Sequence, residues 1–90
     1  MLFMVIERFK PGSLNAIGER FRLSGRMLPE GVEYRASWVD STGSRCFQIM
    51  EAAEPELLNL WMSHWHDLVD FEVVPVLTSS DFWASRQPGR

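Results

Sequence analysis

Residues 2–9, Leu-Phe-Met-Val-Ile-Glu-Arg-Phe, open the chain as a compact apolar run. A run of that length suits a strand buried on both faces. Pro11-Gly12 stops it, and Ser13 stands where a side chain can cap a helix. Leu14, Ile17, Phe21 and Leu28 then keep a period near 3.6, with Glu19, Arg20, Arg22 and Arg26 outside that stripe. Gly25 and Pro29-Glu30-Gly31 end this first helix. Val32 to Val39 is rich in strand formers, Asp40-Ser41-Thr42-Gly43 is a turn signature, and residues 45–51 return as the second arm of a hairpin.

A second helix starts at Glu54-Pro55, with proline in the first turn, where its missing N–H is harmless. Its apolar stripe reads Leu57, Leu58, Trp61, Trp65 and Leu68, with Asn59, Ser63 and His66 opposite. Phe71 to Leu77 forms a final strand, and Pro75, which cannot donate to a ladder, predicts a sheet edge or a bulge. Ser79 or Ser80 caps a last short turn over residues 81–84.

Two βαβ-like halves, 2–39 and 45–78, joined by a tight hairpin, predict a ferredoxin-like β-α-β-β-α-β sandwich of the α+β class. Its antiparallel four-stranded sheet carries two helices on one face. Residues 1–84 are expected to form a single domain, and 85–90 a disordered tail. Strands 2–9 and 71–77 are apolar on both sides, so the face without helices must be covered too, most simply by a second sheet.

Composition strengthens that expectation. Hydrophobic residues make up 46% of the 90, including four Trp and six Phe. A chain this small buries only about 60–65% of its unfolded surface. The apolar surplus must face a partner, and a homodimer is expected. The net charge of −3 and the scattered arginines argue against a nucleic-acid partner. Cys46 is the single cysteine, so there is no internal disulfide. The apolar start lacks a basic leader segment and is too short to span a membrane, so no membrane partner and a cytoplasmic location are expected.

The candidate chemistry is sparse. His64 and His66 suggest a metal, but two residues apart on a helix they point away from each other, and no third ligand stands nearby. His64 falls at the edge of the buried stripe, where it is a candidate catalytic general base; the plainer reading is a border histidine bonded to a backbone carbonyl. If Ser41-Thr42-Gly43 forms the hairpin loop, Trp38 lies beside Cys46, Ala36 beside Gln48 and Tyr34 beside Met50 on one face. One residue of slip would turn all of them over. Tyr34, Trp38, Trp61 and Trp65 are then the candidate ligand-binding residues, forming aromatic walls for a small molecule; the alternative is that they are core or interface. Arg35, Glu33 and Glu51 share the other face with Phe47 and Ile49, where an inter-subunit ion pair is preferred over an anchor for a carboxylate ligand. Cys46 has no activating neighbour, and Asp67 and Asp70 read as solvated or capping groups. No glycine-rich phosphate loop is present.

Several segments are family-specific: Met1 to Phe9, Gly25 to Val32, Ala36 to Asp40, Arg45 to Gln48, Leu57 to Trp61, Asp67 to Glu72 and Val74-Pro75-Val76. Through them the chain resembles a family of small bacterial proteins called domain of unknown function 3303, from Met1 to about Trp83. That family brings no established activity. More distantly, the element order is similar to the dimeric α+β barrel superfamily, which includes muconolactone isomerases, cofactor-free monooxygenases and haem-degrading or stress-response proteins. That likeness implies a dimer. Two readings follow. One is a pocket between sheet and helices that binds or rearranges a small hydrophobic or aromatic molecule, with no cofactor. The other is a non-catalytic dimerisation or interaction module. Haem rests only on the superfamily likeness and one histidine.

Overall fold

The computed structural model describes residues 1–86. Four strands, β1 (Leu2–Phe9), β2 (Val32–Val39), β3 (Arg45–Ala52) and β4 (Val69–Val76), alternate with α1 (Leu14–Ser24) and α2 (Pro55–Met62), and α3 (Ser79–Ser85) closes the chain. The sheet is antiparallel in the order β2-β3-β1-β4, a ferredoxin-like arrangement. The most apolar strand, β1, sits inside it, and β4 is an edge, as Pro75 requires. The molecule is a slab of 53 × 31 × 17 Å.

The pleat sends Phe3, Val5, Glu7 and Phe9 of β1 toward the helices, together with Cys46, Gln48, Met50 and Ala52 of β3. The core closes there, on Leu58, Trp61, Met62, Trp65 and Val69. Trp61, Phe3, Met50, Leu58 and Val5 are the largest side chains removed from solvent. The opposite, helix-free face presents rows of apolar residues: Trp38, Phe47 and Ile6 in one, and Ala36, Ile49, Met4 and Val74 in the next.

The hairpin departs from simple alternation. Tyr34 faces Met50, but a bulge at Arg35 shifts the register, so Ala36 faces Ile49 and Trp38 faces Phe47. The expected pairings of Trp38 with Cys46 and of Ala36 with Gln48 are therefore corrected. The extra residue turns Trp38 onto the open face, where it is 58% exposed. The turn itself is held by Asp40, whose carboxylate accepts from the Ser44 backbone N–H at 3.0 Å and from the Thr42, Ser44 and Arg45 side chains. Those bonds, the Ser44 N–H foremost, hold its pKa well below the usual carboxylate range. Gly43 supplies the left-handed φ of 75° that the turn needs.

The helices are shorter than their periodicity suggests. α1 ends at Ser24 and buries none of its residues; Leu14 and Phe21, expected to face inward, are exposed. Ser13 makes no side-chain cap, and its hydroxyl donates to the Lys10 carbonyl at 2.6 Å instead. α2 ends at Met62, and tight turns carry residues 63–68 into β4, which starts two residues earlier than expected. The last turn lengthens into α3, capped by Thr78 rather than by Ser79 or Ser80. Ser85 belongs to that helix, and residues 87–90 of the expected tail lie outside the described residues. Among the described residues no helix is long and apolar enough to cross a membrane.

Candidate functional site

Because α1 stands off the sheet, a cavity of about 420 Å³ opens beneath it. Ile17, Gly18 and Phe21 of α1 roof it, and Phe9, Trp61, Trp65 and Val69 wall it. Its floor carries the polar groups Glu7, Cys46, Gln48 and Arg26. A volume of a few hundred Å³ with apolar walls and few convergent polar groups is the form that small-molecule sites take.

Glu7 and Arg26 are the charged residues of this cavity. Glu7 lies on the buried phase of β1, between Cys46 on β3 and Phe71 on β4. Burial pushes its carboxyl up to about 7, against the opposing pull of the Gln48 hydrogen bond and the Arg26 charge. Gln48 bridges the pair: its amide N–H donates to Glu7, and its Oε1 accepts from Arg26 Nε at 3.4 Å. Burial likewise pushes the Cys46 thiol up to about 11, and the neighbouring Glu7 charge adds to the shift. The thiol is therefore a protonated, weakly reactive floor group at neutral pH.

The backbone at Arg26 also braces the site. Its carbonyl accepts the indole N–H groups of both Trp61 and Trp65, each at 3.1 Å. The next residue, Met27, takes a left-handed φ of 59°. A second tie fastens α1 across the top: Arg20 makes a two-pronged contact with Asp67 at 2.8 and 2.7 Å and donates to the His64 carbonyl at 2.8 Å. The Arg20 partner pulls the Asp67 carboxyl down to about 2. The tie is thus complete above the ordinary carboxyl range and weakens as pH falls toward that value.

The expected site residues separate. Trp61 and Trp65 line the cavity, although Trp65 lies on the turn after α2. Tyr34 is exposed and does not line the cavity: its hydroxyl meets Ser37 at 2.7 Å and its ring carries the Arg26 guanidinium at 3.6 Å. Trp38 is on the far side of the sheet. His64, the candidate base, is exposed and lies outside the cavity, because α2 has ended before it. Among the described residues its imidazole makes no hydrogen bond; its backbone carbonyl accepts from Arg20 and its N–H donates to the Trp61 carbonyl at 3.1 Å. The end of α2 also removes the helical spacing that kept His64 and His66 apart, yet no group of three or more metal-ligating side chains occurs among the described residues. Arg35 pairs within the chain, with Glu51 at 2.9 Å and Glu33 at 3.1 Å.

Sequence reasoning missed Glu7, Gln48 and Arg26. The signal for Glu7 was present: it shares the odd-numbered phase of Phe3, Val5 and Phe9, where a carboxylate must be buried.

Fold and cavity together define a class: a ferredoxin-like α+β domain with an acid-bearing apolar cavity between its sheet and its first helix. The chain belongs to the family described as Domain of unknown function (DUF3303), whose model matches residues 1–89. No curated protein and no solved structure matches it, so the likeness to the dimeric α+β barrels rests on element order alone.

Proposed function

We propose that this protein binds a small apolar or aromatic molecule in the cavity beneath α1 and that Glu7 exchanges a proton with it. One observation carries the reading: a carboxyl whose burial pushes it up to about 7 stands on the floor of a cavity walled by Phe9, Ile17, Phe21, Trp61 and Trp65. A carboxyl tuned to that range is present in both protonation states near neutrality, which general acid–base chemistry requires. The proton moves between Glu7 and the bound molecule, and Gln48 keeps the carboxyl in place through its amide N–H. No cofactor enters this reading.

The test is a thermal-shift screen against aromatic acids, lactones, quinones and fatty acids, with Gly18→Phe as the control. A Cβ at Gly18 meets nothing within 4 Å, and the residue lies on the cavity roof, so a phenyl ring there plugs the space. A ligand at about a hundred times its Kd adds roughly 2.7 kcal/mol, worth about 10 °C in a domain of this size. The shift should appear in the parent protein and vanish in G18F. A shift that survives in G18F overturns the cavity as its site, and a flat screen over all four classes overturns the reading.

The open sheet face supports a second, compatible reading, self-association. Trp38, Phe47, Ile6, Met4 and Ile49 form an apolar surface on a chain too small to cover it. A second copy packed sheet to sheet would cover it.

A further inference from the structure

We propose that the cavity's ligand is a monoanion, a carboxylate on a flat apolar frame, and that Arg26 receives its two oxygens. This inference rests on the cavity reading above and names the class of molecule it holds. Arg8, Lys10, Arg20, Arg22, Arg35 and Arg45 each pair with a carboxylate of the chain. Arg26 differs. Among the described residues no carboxylate comes within ion-pair distance of it, and its one side-chain hydrogen bond runs from Nε to Gln48. Its guanidinium is nevertheless held in place, stacked on Tyr34 at 3.6 Å with Phe21 at 5.1 Å. A guanidinium fixed through Nε and one face keeps its two terminal nitrogens for a planar, two-oxygen acceptor.

The cavity's charge balance points the same way. Among the described residues its charged side chains are Glu7 and Arg26. With Glu7 protonated, the empty cavity carries one uncompensated positive charge among apolar walls, which a single anion neutralises. The remaining walls are aromatic and aliphatic, which suits a flat hydrocarbon body rather than a phosphate or a sugar. Gln48 spans Arg26 and Glu7, so an anion seated on the guanidinium lies next to the group that exchanges its proton.

The experiment is calorimetric titration of the full chain, at about pH 6 so that Glu7 is largely protonated, with 2-naphthoate and its neutral isostere 2-naphthamide. The acid should bind about tenfold tighter or better, the scale of one charge-assisted contact. Arg26→Gln should remove that preference, weakening the acid far more than the amide; the carbonyl that holds both indoles is backbone and survives the change. Arg26→Lys should keep part of the preference, and it decides the matter if R26Q loses the amide as well. Equal binding of acid and amide, or a preference that persists in R26Q, overturns the anion inference and leaves the cavity reading standing. Binding of neither probe overturns the anion inference, while the four-class screen decides the cavity reading.

Discussion

Trp61 and Trp65 share one acceptor: each indole N–H reaches the carbonyl oxygen of Arg26 at 3.1 Å. One comes from α2 and the other from the turn after it, so a single oxygen joins the end of α2 to the connection between α1 and β2. Replacing either indole by phenyl leaves the carbonyl one donor; replacing both leaves it none. The double variant W61F/W65F should therefore be less stable than the sum of the single effects by about 1 kcal/mol in urea denaturation. An additive cycle would show that solvent serves the oxygen equally well. Trp61→Ala, which empties a site only 1% exposed, should cost about 3–5 kcal/mol.

Glu7 makes stability depend on pH in a direction unusual for a carboxylate. Burial raises its pKa from an ordinary 4.5 to about 7, so the folded protein binds this proton more tightly than the unfolded chain. Its contribution is full below the unfolded value, is lost as pH rises between the two, and is constant above. The shift corresponds to roughly 3 kcal/mol. The other groups facing it are Arg26, whose charge opposes the shift, and Cys46, which titrates far above this window. Glu7→Gln should thus match the parent below about pH 4 and exceed its stability by up to about 3 kcal/mol at pH 8. Chemical denaturation at three pH values checks it, and parallel pH profiles for the two proteins would show that Glu7 titrates normally.

The element order was legible because punctuation stands at nearly every boundary. Pro11-Gly12, Pro29-Glu30-Gly31, Asp40 to Gly43 and Pro55 mark the breaks, and the apolar run of β1 announces an interior strand. The register of β2 was not legible. Tyr34, Ala36 and Trp38 alternate without a flaw, so nothing local betrays the residue inserted at Arg35 that sends Trp38 to the other face. No glycine or proline separates Met62 from Val69, which is why the helical stripe ran on through His64 although the chain had already turned. Arg26 looked like a solvated residue because its role arises after α1 ends, where Tyr34 and Gln48 come from strands to hold it.

The helix-free face predicts the state of association. In sedimentation the protein should run at the mass of two chains. Phe47, which faces both Trp38 and Ile6, stands in the middle of the apolar surface. Phe47→Glu should give single chains with an unchanged far-ultraviolet spectrum, since loss of about 3 kcal/mol raises a dimer's Kd at least about a hundredfold. A parent protein that sediments as one chain at every concentration would remove the dimer and leave this face to a different partner.

The tie between Arg20 and Asp67 should control access to the cavity. α1 buries none of its own residues and packs against the core through Ile17; among the described residues Arg20, bonded to both Asp67 and the His64 carbonyl, is its hydrogen-bonded link to the 63–68 turn. Cys46 reports from the floor beneath: it is the single cysteine, it is buried, and its thiol is pushed up to about 11. Folded parent protein should therefore react slowly with iodoacetamide at about pH 8, because reaction follows the small thiolate fraction and the rate of opening. Arg20→Ala removes the tie without touching the thiol or Glu7. Mass spectrometry should then show Cys46 labelled several-fold faster while the thermal transition stays cooperative. Equal labelling rates would mean that α1 is held by the apolar contacts of Ile17 and Phe21 instead, and that a ligand enters by another path.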